Sequence, residues 1–89
     1  MLTFTECLQF CELTEDEVEA ISEHEHVPEI VALELGQMLL KSQSGIAEIK
    51  RFIREDITHA KVHGQETKAA HFEEVYRHFD ASHPTPPAV

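Results

Sequence analysis

The 89-residue sequence has no tryptophan, one tyrosine, three glycines and two cysteines, and its first forty residues contain neither lysine nor arginine. Each scarcity excludes something. Without clustered Lys and Arg there is no basic surface to neutralise phosphates, which excludes nucleic acid as a partner. The glycines, Gly36, Gly45 and Gly64, are scattered, and none opens a Gly-rich turn that would cradle a phosphate. Cys7 and Cys11 stand four apart on one helical face, without C-x-x-C spacing. They read as small apolar side chains in a reducing cytosol rather than as a disulfide framework. No run of about 18 apolar residues is present, so no membrane span is expected. The segment Met1-Leu2-Thr3-Phe4-Thr5-Glu6 lacks the basic-then-apolar layout of a secretory signal, and a cytoplasmic protein is expected.

What is present is acid, histidine and helical periodicity. Residues 1–40 hold ten carboxylates, whereas residues 41–89 balance seven acids with seven bases, so the net charge of −10 belongs to the first half. Such a one-signed field keeps a protein soluble, or meets a basic protein or a cation. Hydrophobic residues make up 42% of the chain and charged residues 27%, a globular rather than a disordered balance. A chain this short buries only roughly 60–65% of its unfolded surface, so a second copy is a natural source of further burial.

Five helices are expected. Thr3 caps a short one over residues 4–11, with Phe4, Cys7, Leu8 and Cys11 on one face. Thr14-Glu15-Asp16-Glu17 is a capping box opening a second, which runs to about His26, because Val27 before Pro28 is biased away from the α region. Pro28 suits the first position of a third helix reaching Lys41. That helix is apolar nearly all round (Ile30, Val31, Leu33, Leu35, Met38, Leu39, Leu40), which puts it at the centre of the fold or under another subunit. Val31, Leu35, Met38 and Leu39 are the expected interface. Ser44 caps a fourth helix over 45–63, with Ile46, Ile49, Ile53, Ile57 and Ala60 inward, and Gly64 suits its left-handed end. A fifth from Glu66 to Ala81 buries Ala69, Phe72, Val75, Tyr76 and Phe79. No segment alternates with period two, so no sheet is expected. The fold class is all-α: a compact bundle of four to five helices ending in a long antiparallel hairpin, one domain over 1–83 with a flexible Pro-rich tail at 84–89.

Seven histidines offer the main chemistry. In Glu23-His24-Glu25-His26-Val27-Pro28-Glu29, Glu23 and His26 share a helical side, as Glu-x-x-His metal ligands do. A bend at Pro28 would bring Glu29 round as a further oxygen donor. Glu23, His24, His26 and Glu29 are therefore the candidate ligands of a Zn, Ni or Fe ion, against the plainer reading of a partly buried His24 among solvated neighbours. Asp56, His59 and His63 lie at i, i+3, i+7 on one flank of the fourth helix, and His71, Glu74 and His78 on one flank of the fifth. An antiparallel hairpin would bring His63 towards His71, and Glu74 and His78 form an ordinary i, i+4 pair. The competing reading of both sets is the solvated border of an amphipathic helix. No nucleophile–base–orienter set is evident, so no enzyme is expected.

The stretch from Ala20 through Glu23-His24-Glu25-His26-Val27-Pro28-Glu29-Ile30 to Ala32, with Cys7 to Leu13 before it, resembles a group of small bacterial all-helical proteins without an assigned role. The resemblance runs to about His83. It implies a bacterial cytosolic protein and carries over no activity, cofactor or site residue. The ligand set of a ferritin-like di-iron bundle is incomplete here, since only Glu23-x-x-His26 fits it unless a dimer doubles the count. The leading expectation is a non-enzymatic interaction or regulatory module, homodimeric through its third helix, with its acidic half towards a basic protein partner. The alternative is a metal-binding protein built on the cluster around Pro28. A third reading is a pH sensor, because seven histidines would carry the charge from −10 towards −3 on acidification.

Overall fold

The computed structural model describes residues 12–84. The helix expected over 4–11, with Cys7 and Cys11, lies outside the described residues, as does the tail from residue 85 onward. Four helices follow in order: α1 (Glu15–Glu25), α2 (Glu29–Leu39), α3 (Gln43–Val62) and α4 (Glu66–Ser82). No strand occurs among the described residues, and the fold is an all-α bundle ending in a helical hairpin. None of the described helices is long and apolar enough to cross a membrane.

The capping box at Thr14 forms as the sequence predicts. The Thr14 N–H donates to Glu17 Oε1 at 2.9 Å, and the Glu17 N–H donates to Thr14 Oγ1 at 3.2 Å. Glu17 is buried, and its second oxygen, Oε2, sits 3.0 Å from His78 Nδ1. One carboxylate thus closes the first turn of α1 and clamps it to α4. Val18, Ala20 and Ile21 of α1 are fully buried, and this short helix touches all three others.

α2 departs from expectation in its place and its limits. Pro28 stands just before the helix as its N-cap, with an extended ψ of 152°, and α2 ends at Leu39 rather than Lys41. It packs on α1 and α3 through Ala32, Leu33 and Gly36, and so lies at the margin of the bundle, not at its centre. Its outward side leaves Ile30, Val31 and Met38 exposed, with Leu35 and Leu39 partly buried. All four residues of the expected interface are therefore exposed or partly buried, joined by Ile30.

The cap of α3 is Ser42, not Ser44. The Ser42 backbone is extended and its hydroxyl accepts from the Gly45 N–H at 3.0 Å, which starts the helix at Gln43. Ser44 is then in the first turn, its hydroxyl 3.3 Å from that of Ser42. α3 and α4 form the antiparallel pair. Lys50 meets Asp80 at 2.9 Å, Arg54 Nη1 donates to Tyr76 Oη at 3.2 Å, and Lys61 meets Glu73 at 2.9 Å, so ascending numbers on α3 face descending numbers on α4. Ile49, Phe52 and Ile53 close against Phe72, Val75 and Phe79. Fully burying each phenylalanine stabilises the fold by roughly 1.5–3 kcal/mol.

Two glycines are required by geometry. Gly64, between α3 and α4, has φ +69°, a left-handed conformation that costs other residues roughly 1–2 kcal/mol. At Gly45 a Cβ would overlap the backbone carbonyl of Leu39, where α2 runs into α3. Gly45→Ala is expected to destabilise by roughly 2–3 kcal/mol, because backbone must move, and Gly64→Ala by about 1 kcal/mol. Urea denaturation reads both. An unchanged midpoint for Gly45→Ala would overturn the close α2–α3 approach.

Candidate metal centre

α1 ends at its histidines. His26 takes the left-handed conformation (φ 55°, ψ 46°) and its N–H still bonds back to the Ser22 carbonyl. The Ser22 hydroxyl then donates to the Val27 carbonyl at 2.6 Å, which fixes the exit before Pro28. The bend therefore falls at His26 rather than at Pro28. It turns His26 off the helical path and over α3, while Glu29 starts the next helix and stays exposed.

The result is an open hollow of about 280 Å³ between α1 and α3, lined by Glu23, His24 and His26 from one and Glu55, Asp56 and His59 from the other. Three of the four expected ligands come together there; Glu29 is not among the lining residues. Their place is taken up by three side chains of α3, two of which, Asp56 and His59, the sequence puts on a polar flank. Asp56 is not on a flank. It is only 6% exposed, and its Oδ2 is buried without a hydrogen-bond partner.

The partners of the other groups are specific. His24 stacks on Phe52, centroids 4.4 Å apart, and its Nε2 lies 2.6 Å from Glu55 Oε1. Arg51 Nη1 donates to Glu55 Oε2 at 2.8 Å. The His24 bond, and then the Arg51 bond, hold the Glu55 carboxyl below its ordinary pKa. His24 Nδ1 is buried and has no hydrogen-bond partner, its nearest carboxylate being Glu25 at 3.7 Å. Glu23 is paired with Lys68 of α4. Of three buried, unpartnered side-chain atoms among the described residues, two thus belong to this one hollow. Polar atoms are rarely buried without a partner, and those that are call for a ligand, a proton or a water to meet them.

Asp56 shows the cost. Burial drives its carboxyl up from 3.8 to about 7; His24 and Lys68 pull it down, and Glu23 and Glu55 push it up. A site with three carboxylates and three imidazoles, one carboxylate held near neutral pKa, can exchange a proton for a cation.

The remaining histidines are placed otherwise. His63 stacks on His59 at 4.1 Å with Nδ1 2.8 Å from the His59 carbonyl, whereas His71 turns towards Asp16 of α1 at 3.8 Å. The hairpin does not pair them. Glu74 binds Arg77 at 2.9 Å and His78 binds Glu17, so the expected Glu74–His78 pair gives way to a tertiary contact. Among the described residues, the donor atoms of Asp16, Glu19 and His71 lie mutually within 4.8 Å, closer than any three in the hollow. Asp16 and His71 are exposed, however, and none of the buried unpartnered atoms belongs to that trio. Water satisfies such groups without an ion.

The raised Asp56 pKa has a signed consequence. Between 3.8 and about 7 the native state keeps a proton that the unfolded chain has released, so this group's contribution to stability falls as pH rises through that window. Asp56→Asn, which removes the buried charge, is expected to stabilise chelator-treated protein at pH 8 by on the order of 1–3 kcal/mol and to change little at pH 4. Thermal melts at both values read the difference; an equal effect at both would overturn the burial of a titrating carboxyl. Comparison of the chain with protein-family models, with curated protein sequences and with solved structures finds no match, so the hollow is interpreted from its own geometry and chemistry.

Proposed function

We propose that this protein is a small helical module that binds a divalent transition-metal ion in the hollow between α1 and α3. Asp56 supplies the buried carboxylate, Glu23 a second oxygen donor, and His26 and His59 the imidazoles. His24 completes the nitrogen set through Nδ1. The observation that carries this reading is Asp56: a residue of a hollow lined by three histidines, with one carboxylate oxygen buried and without a hydrogen-bond partner. Mixed imidazole and carboxylate donors without thiolate suit Zn, Ni or Fe(II) better than Ca or Mg, which take all-oxygen shells. The two carboxylate-x-x-His pairs, Glu23 with His26 and Asp56 with His59, each present two donors from one helix end. A non-enzymatic role in the cytosol of a bacterium fits this reading.

Metal-stripped protein is expected to gain about 2.7 kcal/mol at a free ion concentration a hundred times Kd, a rise of roughly 10 °C or more in Tm for a chain of this size. Asp56→Asn and His26→Ala should lose that rise. Asp56→Asn is the more telling, because the substitution itself favours the fold. An undiminished rise in both variants would move the site elsewhere, with Asp16, Glu19 and His71 next in line; no rise with Zn, Ni or Fe(II) would remove the reading.

A second reading, self-association, is favoured by one observation. Ile30, Val31 and Met38 are exposed together on α2, and the one other large apolar residue exposed among the described residues is Val62. A second copy of the chain, meeting α2 across a twofold axis, would cover Val31, Leu35, Met38 and Leu39, leaving the acidic α1 surface for a basic protein. Sedimentation equilibrium should then give a dimer that Met38→Glu converts to a monomer. A wild-type monomer at high micromolar concentration would end this reading and leave the metal site untouched.

A further inference from the structure

The three carboxylates of the hollow are not equally free. Glu55 is held from both sides by His24 and Arg51, at 2.6 and 2.8 Å. Glu23 is drawn to the ammonium of Lys68, at the beginning of α4. Asp56 Oδ2 is buried and has no hydrogen-bond partner. Two protein cations thus occupy two of the acids, and the donor atoms of the hollow stand too far apart for any three to lie within 4.8 Å of one another. Lys68 is well placed to act on the site. It is partly buried, and its ammonium lies 6.0 Å from the Phe72 ring centroid.

We infer that Lys68 is an internal counter-cation of the metal site, a latch that keeps Glu23 turned to α4 until an incoming divalent ion takes the carboxylate from it. This inference rests on the cation-binding reading of the hollow. A metal ion and an ammonium compete for the same carboxylate, and the apparent affinity is lowered by the fraction of time Glu23 is engaged. The like charge of Lys68 beside the ion adds to that penalty. Both groups of the pair are partly exposed, so the latch is weak and reversible. Occupancy then releases the tie between the C-terminal end of α1 and the first turn of α4, giving the metal a structural readout on the hairpin. Arg51 has a different part. Its guanidinium bridges Glu48 and Glu55 along α3, and Glu55 in turn orients the His24 ring. That pair positions an imidazole; it does not hold a donor away.

Zn titrated calorimetrically into metal-stripped full-length protein at pH 7.5 tests the latch. Lys68→Met keeps an apolar stem against Phe72 and removes the competitor; it should bind Zn about two- to tenfold more tightly, the equivalent of an exposed ion pair plus the lost repulsion. Lys68→Arg restores a cation and should bind like the wild type. Lys61→Met removes the same net charge from a pair with Glu73 that lies outside the hollow, and should change the affinity by less than about twofold. An affinity for Lys68→Met equal to or below the wild type overturns the latch while leaving the metal site standing. Equal tightening in Lys68→Met and Lys61→Met overturns it too, because net charge alone would then be the cause. If neither the wild type nor Lys68→Met takes up Zn, the cation-binding reading fails and the latch falls with it.

Discussion

α1 is an eleven-residue helix packed against three neighbours, and the rest of the structure is arranged around that burial. Val18, Ala20 and Ile21 are completely covered, and in a helix this short they lie within a turn or two of its two polar ends. Helix ends carry unsatisfied backbone groups and, here, acids and histidines. The packing of α1 therefore forces polar groups against α3 and α4. The fold meets this demand differently at each end.

At the N-terminal end the answer is complete. Glu17 is buried, yet one oxygen accepts from the Thr14 N–H and the other meets His78, so both of its oxygens have partners. At the C-terminal end it is not. Asp56 is similarly hidden but unpartnered, and its carboxyl rises to about 7 because burial disfavours the anion. A bundle could remove that cost with an apolar side chain at the same place, as α3 does at Ile49, Phe52, Ile53 and Ala60. Burying a carboxylate without compensation costs stability, and the proposed binding of a metal ion among the neighbouring histidines and glutamates would give that cost a use. The difference between these two acids is the physical basis of the metal reading.

Two kinds of surface lie beside this core. α2 shields one side of α1 with Ala32, Leu33 and Gly36 and turns Val31 and Met38 outward, an apolar strip at the margin of the bundle. The hollow, by contrast, is a meeting of acids and histidines from α1 and α3, two of whose acids pair with Lys68 and Arg51 beside it. An ion bound as proposed at the hollow would act on the α1–α4 tie, whereas a second copy would meet α2. The two chemistries occupy separate faces of the same short helix.

Much of this was legible in the order of residues, and the illegible part has a definite cause. The capping box at Thr14, the break at Pro28, the left-handed Gly64 and the hairpin of the last two helices depend on local sterics and nearest-neighbour hydrogen bonds, which a sequence states directly. So does the gathering of Glu23, His24 and His26 at one helix end. Even Asp56 left a signal, since Ile49, Ile53, Asp56 and Ala60 follow the 4-3-4 spacing of a buried seam, but an acid in that register reads as the polar border of the stripe. Which helix lies central, which face of α2 is covered, that His78 turns to Glu17 rather than Glu74, and that α3 rather than Glu29 completes the hollow were decided by tertiary packing. Those outcomes depend on side chains separated by 31 to 61 positions meeting across the bundle. Local propensity carries no term for such meetings; only the burial of α1 from three sides brings them about.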